Sequence, residues 1–274
     1  MLKLLNAGFT RLRKNNLFWL LTIFSIGLAL FLIYTQYGDM KKYNEVIEVE
    51  QLMINYSAII GIVIAIFTSL FLGVEYSDGT IRNKISIGHK RVNIYLSNLI
   101  IVTITSMFFY ILFLIVVSTI GISLFGAITI KLSKLLMLLG CIFITIIAYS
   151  SIFTFIAMII SNKTIIAITN IMLVFGMMFY SLIVFDKLSQ PEYVNTMIVQ
   201  DGQQEIIPVK NNNYLEGTKR KIYQLSIDII PSGQMFQIAG RIAPNIKIFP
   251  IYSLGTIIVF TGVGLVLFKK KELI

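Results

Sequence analysis

Six stretches without a single Asp, Glu, Lys, Arg or His constrain this chain more than any other feature: residues 17–34, 54–73, 94–118, 135–160, 164–185 and 249–268. A helix needs about 20 predominantly apolar residues to cross roughly 30 Å of hydrocarbon, and each stretch is about that long. Burial in a water-soluble core is the other way to hide such runs. Composition argues against it: only 13% of the 274 residues are charged and 57% are hydrophobic, whereas a soluble domain carries about 25% charged residues. Too little polar surface remains to cover a globule in water. Backbone in lipid must satisfy its own hydrogen bonds, which makes each run a helix. The expectation is an all-α membrane protein with six transmembrane helices in one domain, residues 1–274.

The first run is longer than the apolar core of a signal peptide, and no A-x-A cleavage site follows it, so it reads as a retained span. The third stays uncharged as far as Ile130. Gly121 and Gly126 predict that residues 119–130 leave the membrane or kink.

Charge placement sets the expected topology. With the N-terminus inside, Lys3, Arg11, Arg13, Lys14, Arg82, Lys84, Lys90, Arg91, Lys163, Lys269, Lys270 and Lys271 lie on the inner side, against Glu75, Asp78 and Glu272. The inner side then carries nine net positive charges and the outer side one, together the +10 of the chain. This is the positive-inside bias, and it places both termini in the cytoplasm. The basic balance is thereby assigned to topology, not to nucleic acid. Residues 1–16 repeat Leu2, Leu5, Phe9 and Leu12 at helical spacing beside Arg11, Arg13 and Lys14. They predict an interfacial helix with its cations near anionic lipid.

In the second run Ser57, Gly61, Ala65, Ser69 and Gly73 recur every fourth position. On a helix they form one stripe of small residues, which lets another helix approach closely, from this chain or from a second copy. Residues 186–248 are the one sizeable polar region, expected outside. Asp201-Gly202 between residues 196–200 and 203–209 is a hairpin signal, and Pro208 limits the second strand to an edge. Ile222, Leu225 and Ile229 then predict a helix broken by Pro231. Ser232 is expected to cap a second helix containing Met235, Phe236 and Ala239. These two segments are expected to dip into the outer leaflet.

The residues for most chemistry are missing. No phosphate-binding G-x-x-x-x-G-K-[ST] string is present: Gly121 and Gly126 have the separation, but Ala127 and Ile128 follow. G-x-S-x-G and H-E-x-x-H are absent too. One histidine, His89, and one cysteine, Cys141, give neither a metal cluster nor a Cys–His pair, and Cys141 reads as a packing residue. Asn170 is the most polar side chain well inside a run and predicts a helix–helix hydrogen bond. No metal or cofactor is expected in this chain, and no catalysis.

The most informative segment joins the second and third runs: GVEYSDGTIRNKISIGHKRVNIYLSNLI, residues 73–100. It resembles the permease subunits of type-2 ABC exporters, which commonly have a short cytoplasmic loop of the form E-Y-x-x-G-T-I-R-N, a Gly, a basic pair and then a span. Glu75, Tyr76, Gly79, Thr80, Ile81, Arg82, Asn83, Gly88 and Arg91 fit that form. The opening LLNAGFTRLRKNNLFWLL is similar to the family's N-terminal interfacial helix, although Gly8 stands where members often carry Glu. PSGQ at 231–234 and the lysine-rich end at 268–271 are similar as well.

The resemblance implies that residues 74–93 form a coupling loop whose short helix sits in a groove of a separate ATPase subunit. Glu75, Asp78, Gly79, Thr80, Ile81, Arg82, Asn83 and Lys84 are the coupling residues it marks. Asp78 would cap that helix through Ser86, Arg82 and Lys84 would offer donors, and Ile81 with Ile85 would offer an apolar anchor. It further implies two ATPase subunits carrying ATP and magnesium, a second permease copy or a related permease, and the bacterial cytoplasmic membrane. The expected cargo is amphipathic or hydrophobic: a peptide antibiotic, a bacteriocin-like peptide or a drug. A membrane sensor or assembly protein, binding ligand through residues 186–248 and needing no ATPase, is the alternative. An intramembrane peptidase would need carboxylates and histidines within the spans.

Overall fold

The structure, a computed structural model, describes residues 1–200 and 203–271. Among these residues six helical spans are long and apolar enough to cross a membrane. The chain opens with α1 (Leu2–Arg13) and α2 (Asn16–Tyr43). Asn15 separates them and caps α2, its Oδ1 accepting from Leu17 N at 2.9 Å and Phe18 N at 3.3 Å. At about 1.5 Å per residue α2 is longer than the hydrocarbon core. It runs well past the expected end at Tyr34 and stops at Asn44, in the left-handed conformation (φ 58°). Next come α3 (Val49–Asn55) and α4 (Ser57–Ser77), separated by Tyr56 alone, then the short α5 (Thr80–Ser86).

The third crossing begins with α6 (Arg91–Val116). It passes through a π-helical turn at Val117–Gly121 and continues as α7 (Ile122–Phe125), ending at Gly126 with φ 97°. The chain therefore turns through Gly121 without leaving the helix and departs at Gly126. After α8 (Leu132–Ile159), α9 (Lys163–Ser189) starts at Asn162, whose side chain accepts from Thr164 N and Ile165 N. Strands β1 (Tyr193–Gln200) and β2 (Gln203–Lys210) pair antiparallel, Tyr193 opposite Lys210 and Pro208 opposite Asn195. The Asp201-Gly202 turn lies outside the described residues. Then follow α10 (Gly217–Ile229), α11 (Pro231–Ala239) and α12 (Phe249–Lys270).

Helix α4 is the axis of the bundle, packed against α2, α6, α8, α9 and α11, while α12 lies on α8 and α6. Helices α9 and α12 turn much of their apolar surface outward, with Met172, Phe179, Ile258 and Val266 all more than half exposed. Lipid is the solvent that tolerates such faces.

Three features of the sequence reading change. First, α1 is not only an interfacial helix. Leu4, Gly8 and Leu12 bury against α6, whereas Leu2 is exposed, so the packed face is turned from the one anticipated. Gly8 sits so close to Ile101 that a larger residue would displace that side chain. Second, α10 exposes Ile222, Leu225 and Ile229, but α11 is drawn into the bundle against α4, α8 and α9. Third, Ser232 does not cap α11. Pro231 takes the first helical position, which suits its fixed φ and missing N–H, and the Ser232 hydroxyl shares a 2.8 Å hydrogen bond with Ser181 of α9.

The PSGQ string explains why α11 seats there. A Cβ on Gly233 would overlap the Ile227 carbonyl and lie 2.9 Å from its carbon, so only glycine allows α10 and α11 to meet. The Gln234 amide donates to Asp228 O at 2.7 Å, and its Oε1 accepts from Thr145 of α8 and Ser253 of α12, each at 2.8 Å. One buried amide thus ties three elements, with both of its ends satisfied.

Candidate coupling site

The E-Y-S-D-G-T-I-R-N segment lies where both chain ends meet the bundle. Gly79, in the left-handed region at φ 65°, makes the turn from α4 into α5 and stands as the residue before the first helical one. A side chain there would strain the turn. Asp78 is exposed and accepts from the Ser77 hydroxyl at 3.1 Å; it does not cap α5. At the far end of α5, Gly88 (φ 92°) lets His89 N reach Lys84 O at 3.1 Å and closes the helix.

Glu75 is the centre of the site. It belongs to the last turns of α4, not to a solvated loop, and it is 1% exposed. Its Oε1 meets Arg11 Nη1 of α1 at 2.6 Å and Lys84 Nζ of α5; its Oε2 accepts from Asn98 Nδ2 of α6 at 2.8 Å. One carboxylate therefore joins four helices. Buried charge is tolerable only when paired and hydrogen-bonded, and both oxygens are engaged. Arg11, expected beside lipid headgroups, lies over the Phe71 ring at 3.9 Å instead. Burial pulls its guanidinium below the ordinary value, opposed by Glu75, and arginine keeps its charge regardless.

Ile81 and Ile85 face inward. Ile81 is 1% exposed within the core, and Ile85 packs against it. Lys84 is committed to Glu75. What α5 presents outward is Arg82, Asn83 and Ser86, followed by Ile87, which is 77% exposed. Ile87 was missed because the four-residue spacing of Ile81 and Ile85 defines an apolar face without saying which way it points.

A second set of contacts lies beside the first. Arg91, at the start of α6, reaches back to the end of α12, donating to Phe268 O at 3.1 Å and also to Lys271 O. Tyr76 donates its hydroxyl to Met158 O of α8. Phe268 is fully buried against Tyr95.

The small residues of α4 point at several neighbours in this chain. A Cβ on Gly61 would lie 2.8 Å from Tyr149 Cζ, and one on Gly73 would lie 2.8 Å from Lys163 Cγ. Ser69 Oγ accepts from Asn170 Nδ2 at 2.9 Å, Ser57 donates to Met235 O at 3.4 Å, and Ala65 is fully buried. Cys141 is buried with its thiol 3.6 Å from Ile246 O. The arrangement around Glu75 ties α5 to α1, α4 and α6 through one buried carboxylate.

Residues 4–180 of the chain match the family described as ABC-2 family transporter protein. No curated protein matches the chain.

Proposed function

This chain belongs to the ABC-2 transporter family, a multi-pass component of the bacterial plasma membrane, and we propose that it is the permease subunit of an ATP-driven exporter whose ATPase is a separate protein. The observation that carries this reading is α5. A seven-residue helix stands at the end of the bundle with Arg82, Asn83 and Ile87 outward, and its other face is fastened by Lys84 and Ile81 to the transmembrane helices. Such an element has a free face for a partner and a rigid connection behind it. Family members work with an ABC ATPase. Two such subunits, carrying ATP and magnesium, would close on ATP and push α5 of each of two permeases.

The positive-inside bias then puts α5 and both termini in the cytoplasm and residues 186–248 outside. An amphipathic or hydrophobic cargo, such as a peptide antibiotic, a bacteriocin-like peptide or a drug, fits a path bounded by helices without charged side chains at mid-depth.

The test is co-expression with a candidate ABC ATPase from the same genome, followed by co-purification and ATP hydrolysis in lipid. Arg82→Glu and Ile87→Asp change only exposed positions and should each weaken ATPase capture by about tenfold while the permease stays folded. Ile81→Asp would instead disrupt the core. Unchanged capture in both exposed variants would refute the docking role of α5. Absence of any co-purifying ATPase with the wild type would favour a sensor that binds ligand through residues 186–248.

A further inference from the structure

The established contacts of the coupling region leave one group unexplained: the lysine that follows α12. Where α12 ends, Lys271 turns the backbone out of the helix (φ −63°, ψ 126°) and sends its side chain back into the bundle. Its Nζ donates to the Tyr76 hydroxyl at 3.0 Å and to Met158 O at 3.2 Å, and lies 4.1 Å from the Tyr76 ring centroid. A lysine at the end of a span ordinarily extends to headgroups and water. Here it is spent on the last turns of two other helices.

The backbone around it is held equally firmly. Arg91 caps the carbonyls of Phe268 and Lys271, and Phe268 is buried. Gly264 passes so close to Tyr95 that a Cβ would lie 2.6 Å from its Cζ, which seats α12 on α6. Tyr76 follows Glu75 directly, and α5 begins four residues later. The chain end thus meets the same turn of α4 from which the links to α1, α5 and α6 radiate.

We propose that Lys271 is a positioning residue for coupling: by bonding Tyr76 and the Met158 carbonyl it locks α12 and α8 to the last turn of α4, so that a displacement of α5 reaches the sixth span. The lock itself is a property of this chain; its part in coupling rests on the permease reading above.

The charge of Lys271 bears on the strength of the lock. Burial, and then the nearby Arg91, pull its ammonium down to about 8. Among the described residues, the titratable and charged groups facing it are Tyr76, with Glu75 behind it, from α4 and Arg91 from α6, while α8 presents the Met158 carbonyl. For a lysine whose docked value is depressed, the stabilising contribution is complete above the undocked value and is lost as pH falls through about 8. Docking therefore tightens as pH rises across that value.

The experiment measures the distance between α5 and α12 by electron-spin labels at Ser86→Cys and Leu267→Cys, in a Cys141→Ser background, with the chain in lipid nanodiscs and no ATPase present. Wild type should give one narrow distribution that narrows further as pH rises through about 8. Lys271→Met should broaden it and remove the pH response. Lys271→Arg, which keeps a permanent charge, should restore a narrow distribution without the pH response. Tyr76→Phe, which deletes one acceptor and leaves the ring, should broaden it partly. Equal widths in wild type and Lys271→Met would overturn the lock. ATP hydrolysis with the partner then tests its role: Lys271→Met should bind the ATPase as wild type does yet lose several-fold of its stimulation. Full stimulation despite a broadened distribution would overturn the positioning role. If even the wild type stimulates no ATPase, the permease reading fails, and the distance result still decides the lock.

Discussion

Replacing Glu75 by Gln removes the one charge on which four helices converge while nearly preserving shape. Deleting one member of a buried ion pair typically costs about 3–5 kcal/mol, because the partner is left charged and unpaired. Two facts reduce that figure here. The Arg11 and Lys84 side chains are 27% and 15% exposed, so water recovers part of their solvation. The glutamine also retains an acceptor and can keep the 2.8 Å bond to Asn98. Working against recovery, Arg11 lies on the Phe71 ring and cannot swing out without losing that contact. The expected destabilisation is about 2–3 kcal/mol. Arg11→Gln should cost only about 1 kcal/mol, since Lys84 and Asn98 still hold the carboxylate. The double variant should fall short of the sum by about 1 kcal/mol or more, as expected for groups in one network. Equilibrium unfolding in mixed micelles gives all three values. A loss below about 0.5 kcal/mol for Glu75→Gln, the range of an ordinary surface change, or strict additivity in the double variant, would refute the view of Glu75 as the hub.

Gly233→Ala should destabilise by about 3 kcal/mol, because its Cβ would meet the backbone carbonyl of Ile227 and not a side chain that can move aside; a thermal unfolding midpoint equal to wild type would contradict the close approach of α10 and α11. Burial holds Asp228 above the ordinary carboxylate range, despite amide donors from Gln237 and Gln224. A raised acid contributes stability that is complete below its unfolded value and is lost as pH climbs through the folded one. Asp228→Asn, which keeps the acceptor for both amides, should therefore remove that loss and unfold at the same or a higher temperature than wild type near neutrality; a clear drop would contradict the assignment.

How far the site could be read in advance depended on the type of signal. The E-Y-S-D-G-T-I-R-N string locates the turn from α4 into α5 because its glycine adopts a conformation that few other residues allow, and such a requirement is written locally. The inward turn of Ile81 and the outward turn of Ile87 were not legible. Helical spacing fixes which residues share a face, whereas the helix that covers the face comes from elsewhere in the chain. Arg11 and Glu75 lie 64 positions apart, and each taken alone reads as a charge at the membrane surface. Asn15 and Asn162 each stand two residues ahead of an apolar run, where a capping asparagine marks a helix start.

The sequence by itself determined the six crossing helices and the family. The spans follow from local quantities, the cost of placing charge in hydrocarbon and the length a helix needs to cross it; the family follows from the motif at residues 75–83. Only the tertiary structure decided that a carboxylate counted with the solvated loop is buried among α1, α4, α5 and α6, that α11 enters the bundle through Gly233 and Gln234, and that the final lysine returns to Tyr76. In lipid the outer faces of the helices are solvated almost whatever apolar residue they carry, so hydropathy distinguishes poorly between faces. The arrangement of the helices is set by the few positions where close approach or a buried polar group admits a single partner, and those partners are distant in sequence.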